Sequence, residues 1–588
     1  MKEYLKQHWF EYAFSAILVC MAAIGISVFF GYSFSTNDDA MLRSLVEGSY
    51  TGTPEAHLIY IMYPLGYIGK VLYQMLPVIP WYDIFMVGMH YLSWILILGR
   101  IGEQVQTKKS KTILILSVFA LILLLDAKYV MMHQYTILAA WLAAVAILFA
   151  MTRHGEKGHL KRWESTVCIV FSILCLWLRK QVFFLAVPIL LMAILMNLVI
   201  RKKEIKGKKE KFRFASLIFP GVLAMLIAIS FGIESIAYGG EEWKEFQEYN
   251  TARTDIYDYY GIPAYEPNMN WYFAGGLDYG DYLAIDMYNS ELAENLSTES
   301  LTELAQLSKQ TWVEGYSIKS IIRIMLSAMA SELLNNPVQP IGVLLIGLYI
   351  CAFVSALRKE RNIPAFTIAA LLLFQFSVVG YFAWRGRFPE RVSYGFYLMQ
   401  IVYLCTFLVS EKKTGQNIPK GYMVRVLVLG TAALMAFGTV GVHRFLIVKE
   451  EHTVLRQSYE DWVCLNEYMQ QNTRNRYCLD TKSFVFSTET MFEESVESGN
   501  VVRLGTWVQN SPLQEQRYQQ LGVTEPVRQL SQAENFFFVQ DSAKDIRAIE
   551  TILQCKGYEV DTELVDTIVT PGGRRFDVFR MNSERAAN

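Results

Sequence analysis

Apolar residues in this chain are gathered into long blocks separated by polar stretches. Eleven of these blocks read as helices able to cross a bilayer: residues 13–32, 84–99, 112–125, 134–151, 166–178, 182–200, 214–234, 338–357, 363–382, 392–409 and 422–443. The yardstick is the hydrocarbon layer of about 30 Å, which a helix of about 20 apolar residues spans. The first block is too long for the apolar part of a signal peptide and has no small-residue cleavage site after it, so it is expected to remain as an anchor.

A further apolar block, 58–76, is interrupted by Pro64, Gly66, Gly69 and Lys70 and bounded by Pro77 and Pro80. Basic clusters at 100–111, 153–162, 201–213, 358–361 and 412–420 decide how to read it. If 58–76 does not cross, all five fall on the cytoplasmic side together with Lys2 and Lys6, as the positive-inside rule favours; if it crosses, all five fall outside. The block is therefore expected to be an interfacial or re-entrant helix on the outer face. This topology puts 33–57, 235–336 and everything after 443 outside.

The outer segments differ in character. Residues 235–336 carry 16 acidic and 5 basic side chains, a net charge of about −11. Within them, Trp243, Phe246 and Tyr249 suit a short helix, and the tyrosine- and tryptophan-rich run 255–280 reads as an ordered binding loop. Amphipathic helices are expected at 301–312 and 317–334, the second with an apolar face suited to the bilayer surface. After residue 443 the pattern changes to a helix at 453–471, strands at 476–479, 484–486 and 535–539, a helix at 544–554, and strands at 558–560 and 576–580 around the turn at Pro571, Gly572 and Gly573. The expected fold is thus mainly α and polytopic, with about eleven transmembrane helices plus one interfacial helix over 1–443, including outer loops 33–83 and 235–336. A small extracytoplasmic α/β domain of accessory or acceptor-recognition type follows over 444–588.

Composition narrows the function. Of 588 residues 53% are hydrophobic, which excludes a simple soluble enzyme, yet a mean hydropathy of +0.23 requires sizeable polar segments. The 54 Lys and Arg balance the 55 Asp and Glu, so net charge points to no nucleic-acid partner. Five of the eight cysteines lie in apolar blocks, and Cys464, Cys478 and Cys555 could supply at most one disulfide.

Polar groups at bilayer depth carry the chemistry, because they are costly there and usually line a cavity. The blocks 112–125 and 166–178 are too short for the full hydrocarbon thickness, so their outer ends are expected to be recessed. They are followed by Asp126, Lys128, His133 and Gln134, and by Arg179, Lys180 and Gln181. A third outer loop brings Arg385, Arg387, Glu390 and Arg391, an excess of positive charge that something must compensate. Residues of this kind can snorkel to lipid headgroups, or their guanidinium forks can hold a lipid-linked phosphate or pyrophosphate. Opposite them stand Asp38 and Asp39, just after the first span. Either can cap a helix over 40–46, and a carboxylate so placed can accept the proton of a hydroxyl attacking a sugar carbon while arginines take up charge on the departing phosphate. Tyr257, Asp258, Tyr260 and Trp271 are candidates for sugar or acceptor contact. His133 reads as a cavity or helix-end residue.

The Asp38–Asp39 pair in the first outer loop, the interfacial helix HLIYIMYPLGYIGKVLYQMLP, the eleven spans and the outer C-terminal domain together resemble the integral-membrane glycosyltransferases of the GT-C superfamily. The resemblance implies a polyprenyl-phosphate-linked sugar donor, a cell-envelope glycan or lipid acceptor, and a multi-pass protein in the cell membrane. It also implies that Asp38 or Asp39 is the base or helps bind a divalent cation such as Mg or Mn, with outer arginines, Arg387 and Arg391 ahead of Arg385, Arg179 and Lys180, holding the donor phosphate. No metal ligand beyond the Asp pair is recognisable. The tryptophan-rich signature of oligosaccharyltransferases is absent, only Asp278-Tyr279-Gly280 matching part of it, which disfavours protein N-glycosylation. A polysaccharide polymerase or ligase, a transporter of lipid-linked glycans and a noncatalytic scaffold are the rival classes; Asp38→Asn with Asp39→Asn would spare the scaffold and abolish transfer.

Overall fold

The computed structural model describes residues 2–585 apart from 106, 153–154, 157–158, 161, 202–208, 316, 331–340, 359–361, 411–419, 485–488 and 496–498. For 2–7, 155–156, 159–160, 162, 198–201, 209–218, 328–330, 343, 358, 362, 410, 420–444 and 583–585 it describes the backbone alone. The basic clusters at 201–213, 358–361 and 412–420 and the ends of the expected segments 317–334, 338–357 and 484–486 therefore fall wholly or partly outside the described residues.

The chain opens with helix α1 (Lys2–Phe29), a two-residue strand β1 (Ser33–Phe34), the short helix α2 (Asn37–Glu47) and α3 (Tyr63–Met75). Next come α4 (Trp81–Gly102), α5 (Lys108–Met131), β2 (Met132–His133), α6 (Tyr135–Thr152), a small hairpin of β3 (Gly155–Glu156) and β4 (His159–Leu160), α7 (Arg162–Leu178), α8 (Lys180–Arg201) and α9 (Lys209–Ala237). A polar module follows, made of α10 (Glu241–Thr254), a π-helical turn over Asp255–Tyr260, α11 (Tyr265–Ala274), α12 (Tyr279–Asp286) and α13 (Thr298–Glu314). The chain then returns through α14 (Ile318–Ala330), α15 (Ile341–Arg358), α16 (Asn362–Trp384) and α17 (Glu390–Ser410) to the 52-residue helix α18 (Lys420–Gln471).

Among the described residues, eight helices are long and apolar enough to cross a membrane, and α7 and α15 are shorter apolar helices. The eleventh expected span forms the first half of α18. The protein is a multi-pass membrane protein. α6 lies at the centre, buried along its whole length against α4, α7, α8 and α17. α3 is not among the spans and exposes Tyr67, Ile68, Met75 and Leu76 along one side, the habit of an interfacial helix. Gly66 lets α3 approach the Ala56 carbonyl so closely that a Cβ there would lie 2.1 Å from its oxygen.

Several expectations need correction. The block 112–125 is not a short, recessed span: α5 runs 24 residues and carries Asp126 and Lys128 inside the helix. The helix can hold them because both have partners. Asp126 meets His90 and Tyr394, while Lys128 meets Glu390 and Glu451. The aromatic run 255–280 is not a loop but the π-helical turn, α11 and the start of α12. Asp38 and Asp39 sit in the first turn of α2, with Thr36 as its N-cap, so the helix begins three residues before the expected 40.

The C-terminal part contains a five-stranded sheet of β5 (Arg476–Leu479), β6 (Val501–Arg503), β7 (Phe536–Asp541), β8 (Tyr558–Val569) and β9 (Arg575–Arg585) in the order β6-β5-β7-β9-β8. β6, β5 and β7 are parallel, and β9 and β8 are antiparallel additions. Helices α19 (Thr481–Phe484), α20 (Pro512–Leu521), α21 (Pro526–Gln532) and α22 (Arg547–Cys555) connect them. Phe484, expected on a strand, ends α19, and all eight cysteines are free. Two features blur the expected division at 443. α18 passes through that position without a break, and the polar module shares one hydrophobic core with the sheet domain, joining Tyr249, Ile256, Tyr272 and Leu304 to Cys478, Phe538 and Ile552.

The sheet domain is clamped to the bundle by ions. Arg43 of α2, 1% exposed, donates to Asp83 of α4 at 3.3 Å, to the Glu493 carbonyl at 3.1 Å and to Glu489. Asp83 in turn accepts from the Phe492 backbone N–H at 2.7 Å. Burying these charges is tolerable only because each meets an opposite charge or a fixed dipole.

Candidate functional site

The loop between α1 and α2 is held in place by β2 and the residues around it. β1 pairs with β2 in parallel, and the Ser35 N–H donates to the His133 carbonyl at 2.8 Å. His133 lies against His90, with ring nitrogens 3.4 Å apart; His90 is hydrogen-bonded to Asp126 at 2.6 Å, and Asp126 accepts from the Tyr394 hydroxyl at 2.7 Å. Tyr394 stands one turn beyond Arg391 on α17. A buried polar chain thus ties the backbone leading to Asp38 to the helix that carries Arg391.

Asp38 and Asp39 have different environments despite being neighbours. Asp39 is fully buried; its carboxylate accepts from the Tyr135 N–H at the start of α6 at 2.9 Å, from the Thr36 hydroxyl at 3.0 Å and from the Tyr82 hydroxyl at 3.4 Å. Burial outweighs the Tyr135 and Thr36 hydrogen bonds and, with Asp38 beside it, pushes this carboxyl up to about 8. Asp39 therefore closes an open helix end and is largely neutral at pH 7. Asp38 is partly exposed and accepts from Arg391 Nη1 at 3.4 Å.

Around this pair the chain assembles cations and tyrosines. Tyr135 is within electrostatic reach of Arg179, Asp38, Arg391 and Tyr60, and Tyr60 is within reach of Arg253, Asp38, Arg179 and Asp258. The Arg179 guanidinium sits 5.2 Å from the Tyr60 ring and 5.1 Å from the Tyr135 ring, with its Nη1 buried and without a hydrogen-bond partner. Arg253 donates to the Tyr60 hydroxyl at 3.3 Å. The N-termini of α6, α8 and α17 meet here, and their orphan N–H groups favour negative charge.

The other candidate cations are already compensated. Arg385 donates to Asp255 at 2.8 Å and lies 3.6 Å over the Tyr259 ring; Arg387 pairs with Asp258; Lys180 pairs with Glu234 at 3.1 Å. The acid-rich polar module supplies the charge that the Arg385–Arg391 loop requires. Asp258 reaches this cluster, and Tyr260 faces Arg385 and Trp312. Tyr257 instead donates to the Ile285 carbonyl and stacks on Tyr288, and Trp271 packs on Tyr272, so neither is brought to Asp38. Tyr60, Tyr135 and Arg253 belong to the cluster although sequence reasoning did not single them out. Tyrosines near a membrane surface are common enough to give no separate signal.

Among the described residues no group of three or more His, Cys, Asp or Glu side chains is arranged to hold a metal ion. Asp39 is engaged by Tyr135, Thr36 and Tyr82, while Asp38 accepts a single contact from Arg391 on one oxygen.

Beside the cluster, on the next face of α2, a cavity of about 70 Å³ opens between that helix and the sheet domain, lined by Asn37, Met41, Trp462, Asp480, Arg503 and Trp507 among others.

No family model and no curated protein matches this chain. Among solved structures it is similar to a crystal structure of ArnT from Cupriavidus metallidurans bound to undecaprenyl phosphate, with 10% identity over 96% of this chain and 98% of that one and a TM-score of 0.47. A likeness of that degree bears no functional weight.

Proposed function

We propose that this protein is a membrane glycosyltransferase of the GT-C type that moves a sugar from a polyprenyl-phosphate donor to a hydroxyl of an extracytoplasmic acceptor, with inversion. The observation that carries this reading is Arg179. A half-buried arginine held between two tyrosine rings, its Nη1 buried and unpartnered, with a carboxylate–arginine pair close by, is a site short of one anion. A phosphate monoester or diester supplies that anion, and the apolar helices around the site suit a lipid chain.

In this reading Arg179 and Arg391 hold the donor phosphate, with Arg387 and Arg385 behind them. The acceptor oxygen attacks the anomeric carbon from the side opposite the phosphate. The carbon–oxygen bond to the phosphate breaks, and the electron pair leaves with the polyprenyl phosphate, whose growing charge the guanidinium groups stabilise. Asp38 takes the proton from the acceptor hydroxyl. Before donor binds, Arg391 holds this carboxylate in place. Asp39 orients the loop and is not the base. The topology that puts the N-terminus in the cytoplasm sets this chemistry on the outer side, next to the sheet domain.

The test is reconstitution in lipid nanodiscs with a panel of polyprenyl-phosphate sugars, scoring donor consumption by the wild type and by Asp38→Asn. Consumption by the wild type that is lost in the variant supports the assignment, and equal consumption by both rejects Asp38 as the base.

A further inference from the structure

The turn that presents Tyr60 is strained, and several elements hold it. Ile59 has a φ of 62°, a left-handed value that a β-branched side chain rarely adopts. The Tyr60 N–H returns to the Leu58 carbonyl at 2.6 Å and closes a three-residue turn around Ile59. The Ile59 N–H donates to the Tyr238 hydroxyl at 3.1 Å, and the Met62 N–H to the Trp177 carbonyl at 2.7 Å. Upstream, the His57 ring stacks on Trp243 with centroids 4.7 Å apart, its nitrogens 2.8 Å from the Glu55 carboxylate and 3.2 Å from the Ala237 carbonyl. Backbone strain persists only where the surrounding structure over-determines it, and it collects where a side chain is held for a task. Here that side chain is Tyr60, and the Trp177 contact ties it to the end of α7, next to Arg179.

The Tyr60 ring is occupied, by the Arg179 guanidinium and by Trp507 with centroids 4.7 Å apart. Its hydroxyl is only half used. The oxygen accepts from Arg253 at 3.3 Å, and no described residue accepts the hydrogen. Burial outweighs the nearby Arg253 and Arg179 and, with Asp38 and Asp258, pushes the phenol above its ordinary range, so the hydrogen stays on. A cation at the lone pair also draws charge out of the O–H bond and makes it a better donor. The hydroxyl thus stands within electrostatic reach of Arg179 and Asp38, beside an Arg179 Nη1 that itself lacks a partner.

We propose that the Tyr60 hydroxyl is a ligand of the donor phosphate: its hydrogen goes to a phosphate oxygen beside the Arg179 guanidinium, and Arg253 on its oxygen turns it there. The inference rests on the glycosyltransferase reading above. The phosphate gains negative charge as it departs, so this hydrogen bond tightens while the carbon–oxygen bond to the sugar breaks. Tyr60 keeps its proton throughout.

The experiment is native mass spectrometry of the full-length protein released from nanodiscs doped with equal amounts of a long-chain polyprenyl phosphate and the matching polyprenol. The readout is the ratio of phosphate-bound to alcohol-bound protein, which a general loss of folded protein leaves unmoved. The wild type is expected to favour the phosphate. Tyr60→Phe keeps the ring and removes only the O–H, and is expected to lower the ratio by about tenfold or more. Arg253→Gln, which leaves the hydroxyl free to turn, is expected to lower it by a smaller factor. Ile59→Gly, which accepts a positive φ without cost, is expected to melt above Ile59→Ala. A wild-type ratio in Tyr60→Phe or in Arg253→Gln, or the reverse order of the two Ile59 variants, overturns this inference alone. A wild type that shows no preference for the phosphate overturns the parent reading and this one with it.

Discussion

Asp38→Asn separates chemistry from structure more cleanly than any other substitution in this protein. The variant keeps the side-chain volume and a carbonyl oxygen for Arg391, and removes only the negative charge and the capacity to take a proton. The ion pair it breaks is partly exposed, with Asp38 at 19% and Arg391 at 27%, so its contribution to stability is about 0.2–1 kcal/mol. Loss of a positioned general base costs about 10²- to 10⁴-fold in rate, or about 2.7–5.4 kcal/mol of transition-state stabilisation. The two effects are well separated. Transfer by Asp38→Asn is expected to fall at least 100-fold in a single-turnover assay with nanodisc-bound donor, with a thermal midpoint within a few degrees of wild type. Asp39→Asn is the internal control. Its amide can keep the Tyr135 N–H bond through its oxygen and offer its NH₂ to the Thr36 hydroxyl, and it replaces a carboxyl already largely neutral at pH 7. It should retain transfer within about tenfold, on the low side of the general-base effect. Transfer by Asp38→Asn within tenfold of wild type, or a loss in Asp39→Asn equal to that in Asp38→Asn at unchanged thermal midpoint, refutes the division of roles.

The Asp39 carboxyl also makes stability depend on pH. Because its folded pKa is raised to about 8 from an ordinary 3.8, the unfolded chain loses this proton first, so stability falls as pH rises between those values and levels off above. Asp39→Asn should therefore raise the thermal midpoint relative to wild type more at pH 8 than at pH 5; an equal or opposite effect at the two pH values contradicts the burial argument. Arg179→Gln removes a charge-assisted bond worth about 1.5–3 kcal/mol, so the donor KM should rise roughly 10- to 150-fold in steady-state assays; a donor KM within threefold of wild type would show that the phosphate lies elsewhere. Arg43→Ala leaves Asp83 and Glu489 buried without their cation, at a cost of about 3–5 kcal/mol. Limited proteolysis should then cut more readily in the 489–493 segment that docks on α2, and wild-type resistance there would mean the clamp is incidental.

Most of the membrane part was legible because transfer of apolar surface dominates every local preference, and the interruptions at Pro64 and Gly66 marked α3 as something other than a span. Where the pattern misled, a tertiary partner was responsible. Asp126 and Lys128 end the apolar block at 125 but not the helix, because His90, Tyr394, Glu390 and Glu451 satisfy them from other helices. β6 escaped notice because a three-residue buried parallel strand, Val501–Arg503, has no alternation to read. Asp38, Arg391 and Arg179 each stood out as charges beside apolar blocks, yet their convergence depends on contacts separated by hundreds of residues. Tyr60, Tyr135 and Arg43 look like ordinary interfacial or helical residues until the fold gives them neighbours, and the core shared by the polar module and the sheet domain joins segments that no periodicity connects.

The central claim is spatial: an anion belongs beside Arg179 and Arg391, facing Asp38. Electron cryomicroscopy of the protein in nanodiscs loaded with a polyprenyl phosphate measures this directly. The expected map has phosphate density in hydrogen-bonding range of the Arg179 and Arg391 guanidinium groups, its lipid running outward between the apolar helices, and room for one sugar between the phosphate and the Asp38 carboxylate. Phosphate density at the opposite end of the bundle, or an Arg179 still without a partner at saturating lipid, would contradict it.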